Sequence, residues 1–139
     1  MTGLTSRRKG QTGERELAAL IADLTGWDVR RRVRQHEGDS DLEGVPGWSV
    51  EVKRHAKAPD ALKRAWWAQT VRQSMGMRQA VFGNTMPALF YREDRREWRA
   101  IWPVACLLTM QRADMWTDYG WTCDSDVATW AAVAREVMG

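Results

Sequence analysis

The sequence offers little from which to build a covalent or zinc-bound framework. Its 139 residues include two cysteines, Cys106 and Cys123, without metal-ligand spacing. A disulfide scaffold or structural zinc site is therefore not expected, and a reducing, intracellular setting is. The two histidines, His36 and His55, form no Ser/His/Asp or Cys/His spacing with a potential nucleophile. No stretch approaches the roughly 18 uncharged apolar residues of a membrane span. The first ten residues are basic and polar with no apolar run behind them, so they are not expected to act as a secretory signal. Repeats and low-complexity tracts are also missing. The expectation is a cytoplasmic domain, and 44% apolar residues suffice for one core.

Charge is present but segregated. Residues 1–34 hold eight Lys/Arg against four acids, 35–52 hold five acids and no base, and 53–78 hold seven bases with only Asp60. A protein that merely coats DNA gains nothing from carboxylates facing phosphates. Acids flanked by two basic segments make sense if the acids hold a divalent cation and the flanks hold a polyanion.

Apolar periodicity places elements along the chain. Leu17, Leu20, Ile21 and Leu24 predict an amphipathic helix over about 10–25, ending at Gly26. Glu14 falls on its inward stripe, where a carboxylate needs a reason, while Glu16 is expected to be solvated. Residues 27–34 predict a strand, with Trp27, Val29 and Val33 on one face, Arg31 interrupting it, and Arg30, Arg32 and Arg34 on the other. The glycine-rich 35–47 is mostly turn, with a short strand at 41–43. Trp48, Val50 and Val52 then alternate with Ser49, Glu51 and Lys53, so Glu51 and Lys53 project from one strand face. A second helix is expected over 60–77, a hairpin from 88–92 and 98–104, a short helix within 103–113, and a terminal helix over 126–138 capped by Asp124 or Ser125. The order is α-β-β-β-α-β-β-α, an α/β (α+β) domain.

Metal-assisted phosphodiester hydrolysis needs carboxylates for the cation and a positive group against the phosphate. Glu51 and Lys53 stand side by side, Asp41 lies in a turn ten residues earlier, and Glu14 offers a third carboxylate. The segments RRKGQTGEREL (7–17), GDSDLEG (38–44) and WSVEVKR (48–54) resemble the PD-(D/E)XK nuclease superfamily, and within it the archaeal and phage type of Holliday junction resolvase. That resemblance implies a restriction-endonuclease-like core with a central mixed sheet flanked by helices. It implies Asp41 and Glu51 as metal ligands with the backbone carbonyl of Val52, Glu14 as an assisting ligand, and Lys53 positioning the attacking water. The cofactor implied is Mg²⁺, with Mn²⁺ able to substitute. The superfamily's usual proline before the first Asp is replaced by Ser40, and Asp39 competes with Asp41 for the ligand role.

The expected domain spans 1–139, with a core over about 7–104 and a Trp-rich extension beyond about 105. Arg7, Arg8, Lys9, Arg30, Arg32, Arg34, Arg54, Lys57, Gln69 and Arg72 are the expected DNA contacts, with Lys63 and Arg64 beside them on the second helix, and Gln69 or Gln73 is placed to reach toward the site. Most of the nine tryptophans are assigned to the core; Trp66, Trp67, Trp116 and Trp121 are left over, and a homodimer interface is the expected use of some of them. The leading expectation is a resolvase that cuts branched DNA as a homodimer. The alternatives are a nuclease that nicks, trims ends or degrades host DNA, or a DNA-binding module without catalysis.

Overall fold

A computed structural model describes residues 3–33, 40–78, 85–108 and 112–138. Helix α1 (Gly3–Thr25) leads to two short strands, β1 (Arg30–Arg31) and β2 (Leu42–Glu43), paired antiparallel. Strand β3 (Trp48–His55), helix α2 (Asp60–Arg78) and strand β4 (Met86–Glu93) follow, then β5 (Arg99–Pro103), a short helix α3 (Ala113–Thr117), β6 (Thr122–Asp126) and α4 (Val127–Met138). The main sheet runs β3-β4-β5-β6, with β3 parallel to β4 and the other pairs antiparallel. This mixed sheet flanked by helices is the restriction-endonuclease-like architecture that the motifs imply.

Period-two alternation sends side chains to two cores. Val50, Ala88, Phe90, Ala100 and Trp102 join Leu17 and Ile21 of α1 and Trp130 of α4 on one face. Leu89, Tyr91 and Ile101 meet Trp66, Trp67 and Val71 of α2 on the other. Phe90 and Trp48 both meet the Trp130 ring edge to face, at centroid distances of 4.8 and 5.5 Å. Because both faces are covered, Glu51 is 6% exposed even though it points away from the Val50 side.

Several expectations need correcting. Helix α1 begins at Gly3, well before residue 10, and Gly13 within it packs against the Arg54 and Trp98 side chains. The strand foreseen over 27–34 shrinks to two residues, and Val33 is 80% exposed. Its neighbour β2 is too short to pair with more. The close approach is possible because residue 44 is glycine at φ +88°: a Cβ there would sit 2.1 Å from Asp28 O. Glu16 is not simply solvated: its carboxylate accepts from Trp98 Nε1 at 2.6 Å and pairs with Arg92. Strand β6 was not foreseen, and the cap of α4 is neither Asp124 nor Ser125. Asp126 accepts the Thr129 N–H at 2.7 Å, whereas Ser125 Oγ is held by Trp102 Nε1. Trp66 and Trp67 are 6% and 1% exposed within the chain, so they cannot form an interface between copies. Among the described residues no helix is long and apolar enough to cross a membrane.

Candidate active site

Strand β3 is an edge strand, and its free edge builds the site. In an extended strand the N–H and C=O of one residue point the same way and those of the next point oppositely. Val50 and Val52 point theirs away from β4. Residues 40–41 dock there in place of a strand partner. Ser40, 1% exposed, accepts the Val50 N–H on its Oγ at 2.9 Å and donates to Leu42 O at 2.7 Å. The Asp41 N–H donates to Val50 O at 2.8 Å, and Asp41 Oδ2 accepts the Val52 N–H at 2.7 Å. Arg32 closes the turn from outside, donating from its backbone N–H to Asp41 O and from Nε to Ser40 O, both at 3.0 Å. Asp41 is thereby fixed beside Glu51, and the Val52 carbonyl faces the same edge.

On the adjoining face, Lys53 Nζ lies 3.2 Å from Glu51 Oε1, and Gln69 of α2 donates to that oxygen at 3.3 Å. From α1, Glu14 Oε2 stands 3.5 Å from Arg31 Nε, with both side chains largely buried. Burial pushes the Asp41 carboxyl up to about 8. The nearby Glu51 charge adds to this and the Glu14 charge adds a little more, while the Val52 N–H and Lys53 oppose it. Burial also raises Glu51, against the pull of Lys53.

A buried carboxylate, Glu51, and a half-buried one, Asp41, repel one another beside the edge-facing Val52 carbonyl, an arrangement of oxygens that a cation would relieve. The residues fit a hard divalent ion that keeps several water ligands. Among the described residues no three carboxylate, imidazole or thiol side chains converge into a complete cage. A cation here would meet at most the two carboxylates and the Val52 carbonyl, with Glu14 nearby but paired to Arg31.

The other expected contacts divide into several groups. Arg8, Lys57 and Arg72 are exposed, and Arg54 is half-buried. Arg30 reaches only Asp28 on the surface, and Lys9 pairs with Asp94 at 3.1 Å. Arg32 turns inward to hold the Asp41 turn, and Gln69 holds Glu51, so both support the carboxylates. Gln73 is buried. Lys63 lies 4.9 Å from the centre of the Tyr91 ring and 3.6 Å from Asp124, and Arg64 pairs with Asp60. Arg34, His36 and Asp39 lie outside the described residues, as does the side chain of Arg7. Arg31 and Ser40 were not singled out as site residues. Arg31 had a visible signal, since it breaks an apolar alternation, whereas the role of Ser40 depends on a backbone approach that no pattern reveals.

Residues 5–126 match the model of a family described as "Phage putative PDDEXK endonuclease". The chain belongs to that family. Neither a curated protein nor a solved structure matches it. Membership in the phage PDDEXK endonucleases makes the chain a nuclease with DNA as its substrate, from a superfamily that generally uses divalent metals. The match covers all three motif segments from Arg7 to Arg54 and extends through β6.

Proposed function

We propose that this phage-type PDDEXK endonuclease resolves branched DNA, cutting four-way junctions by paired, Mg²⁺-dependent hydrolysis. The observation that carries the hydrolytic part is half-buried Asp41 beside buried Glu51, with Lys53 3.2 Å from Glu51. The choice of junctions is supported by the resemblance of residues 7–17, 38–44 and 48–54 to junction resolvases.

In this reading Asp41, Glu51 and the Val52 carbonyl hold the cation, with Mn²⁺ able to replace Mg²⁺. The bound ion supplies Lewis-acid charge to the phosphate and to the attacking water. Lys53 holds its ammonium where it orients that water and offsets charge developing on the phosphate. Gln69 helps to hold the Glu51 carboxylate through its hydrogen bond to Oε1, and the Ser40–Asp41 clamp keeps Asp41 in register with it. Glu14, balanced by Arg31, borders the site from α1 and assists with the cation or its water. A four-way junction has two-fold symmetry and needs two cuts, a demand that a homodimer with two sites meets. The exposed Leu107 and Leu108 supply apolar surface that such a contact can cover.

The test is incubation with a synthetic four-way junction, the matching linear duplex and its single strands in Mg²⁺. Symmetric paired nicks confined to the junction support the reading. Equal cutting of linear duplex overturns it in favour of a nuclease that nicks, trims or degrades ordinary DNA.

A further inference from the structure

The far end of β3 carries a feature that the cleavage chemistry does not use. The turn after β4 is closed by the Arg96 N–H donating to Glu93 O at 3.1 Å, with Asp94 and Arg95 at its centre. Arg95 has φ +64°, the one positive value outside glycine among the described residues. A positive φ at the third position of such a turn is the glycine site of a type II turn, and an arginine there is strained.

The turn is also firmly docked. The Asp94 N–H donates to His55 O at 3.1 Å and to Ala56 O at 3.3 Å. Glu93 Oε2 accepts the Ala58 N–H at 2.9 Å, and Arg92 Nε donates to Arg96 O at 2.7 Å. The strained residue is therefore held rigidly against the strand that carries Glu51 and Lys53. His55 lies four residues beyond Glu51, about 13 Å along the strand.

Positive charge gathers at this end. Lys9 bonds Asp94 and, with weaker help from Arg54 and Arg95, holds the Asp94 carboxyl below its usual range. Lys53 and His55 line the adjoining face, where His55 rests against the Trp66 ring at 4.9 Å. Asp94 thus faces Lys9, Arg54 and Arg95, while Glu93 is turned to the Ala58 N–H and Glu97 lies exposed beyond the turn. The Arg95 side chain is exposed, and no hydrogen bond or ion pair holds it among the described residues.

We propose that the Asp94–Arg96 turn is a DNA-backbone contact, with Arg95 gripping a phosphate on the strand that leaves the cutting site over Lys9 and Arg54. The inference rests on the nuclease reading and adds a contact element to it. A left-handed backbone aims the arginine outward, and a pre-anchored turn binds with little ordering cost. A purely structural turn would be better served by glycine.

That contrast supplies the test. In full-length Glu51→Gln protein, where no strand should be cut, binding of a labelled duplex is followed by anisotropy in Mg²⁺ across a salt series, with and without Arg95→Gly. Arg95→Gly is expected to bind roughly eightfold more weakly at 0.1 M salt, with the slope of log K against log salt shallower by about 0.9. Its melting temperature should equal or exceed the parent's. Arg95→Lys keeps the charge and should bind like the parent, and Arg135→Ala, which removes one charge from α4, should leave the slope unchanged. Unchanged affinity and slope in Arg95→Gly overturn the inference, as does an equal loss in Arg135→Ala. If the parent cuts DNA, or fails to bind it, the nuclease site itself is misassigned.

Discussion

Replacing Asp41 by Asn should make the metal-free protein more stable and inactive, and the size of the gain follows from the site. The Asp41 carboxyl is raised from 3.8 to about 8 by burial and by Glu51. At about 1.4 kcal/mol per unit, holding it ionised costs up to ~6 kcal/mol. Asp41 is only half-buried, so water screens part of this cost and the expected gain is roughly half, ~3 kcal/mol. The amide oxygen of Asn can still accept the Val52 N–H, so the docking of the turn survives. Because the folded-state value is raised, the folded protein binds more protons than the unfolded chain, and stability falls as pH rises. The penalty is absent below about pH 4, grows between pH 4 and 8, and is complete above 8. Urea unfolding in EDTA should therefore give coincident curves for the two proteins at pH 4. At pH 8 the Asp41→Asn midpoint should be higher by about 1–2 M. Adding Mg²⁺ at a hundred times its dissociation constant should return about 2.7 kcal/mol to the parent and much less to the variant. A variant destabilised at pH 8, or a gap that does not depend on pH, would refute the reasoning.

Other perturbations probe the supports. Ser40→Ala leaves the buried Val50 N–H and Leu42 O without their partner and should cost about 2 kcal/mol by urea unfolding. Its cleavage should fall roughly tenfold or more as Asp41 loses register, whereas Ser49→Ala, which removes a buried hydroxyl with no hydrogen-bond partner among the described residues, should leave both quantities near the parent's. Gly44→Ala would set a Cβ 2.1 Å from Asp28 O at φ +88° and should lower stability by about 3 kcal/mol. A change under about 1 kcal/mol would mean that the β1–β2 approach is looser than described.

How legible the molecule is from sequence depends on the range of the forces involved. Glu51 and Lys53 could be placed on one face because strand alternation is local. For the same reason β3, α2 and the β4–β5 hairpin lie close to where apolar periodicity puts them. Strand β6 escaped because Thr122–Asp126 has no apolar alternation of its own; pairing with β5 makes it a strand. Arg32 looked like a phosphate contact because alternation alone put it on a basic face. Its inward turn depends on the Ser40 carbonyl, which only the tertiary approach brings near. Trp66 and Trp67 are left among the interface candidates because α2 alone does not reveal that Leu89, Tyr91 and Ile101 lie beneath it. The pairing of Glu14 with Arg31 joins α1 to β1 across a gap that no local pattern spans.

The central claim is that Asp41 and Glu51 hold the cation that drives cleavage. Its most direct test is Mg²⁺-dependent cutting of a four-way junction by the parent and by Glu51→Gln, with DNA binding measured on the same preparations. Binding retained and cutting lost by at least about a thousandfold, on the scale of removing a catalytic group, is the predicted result. A Glu51→Gln protein that binds as before and still cuts would contradict the account.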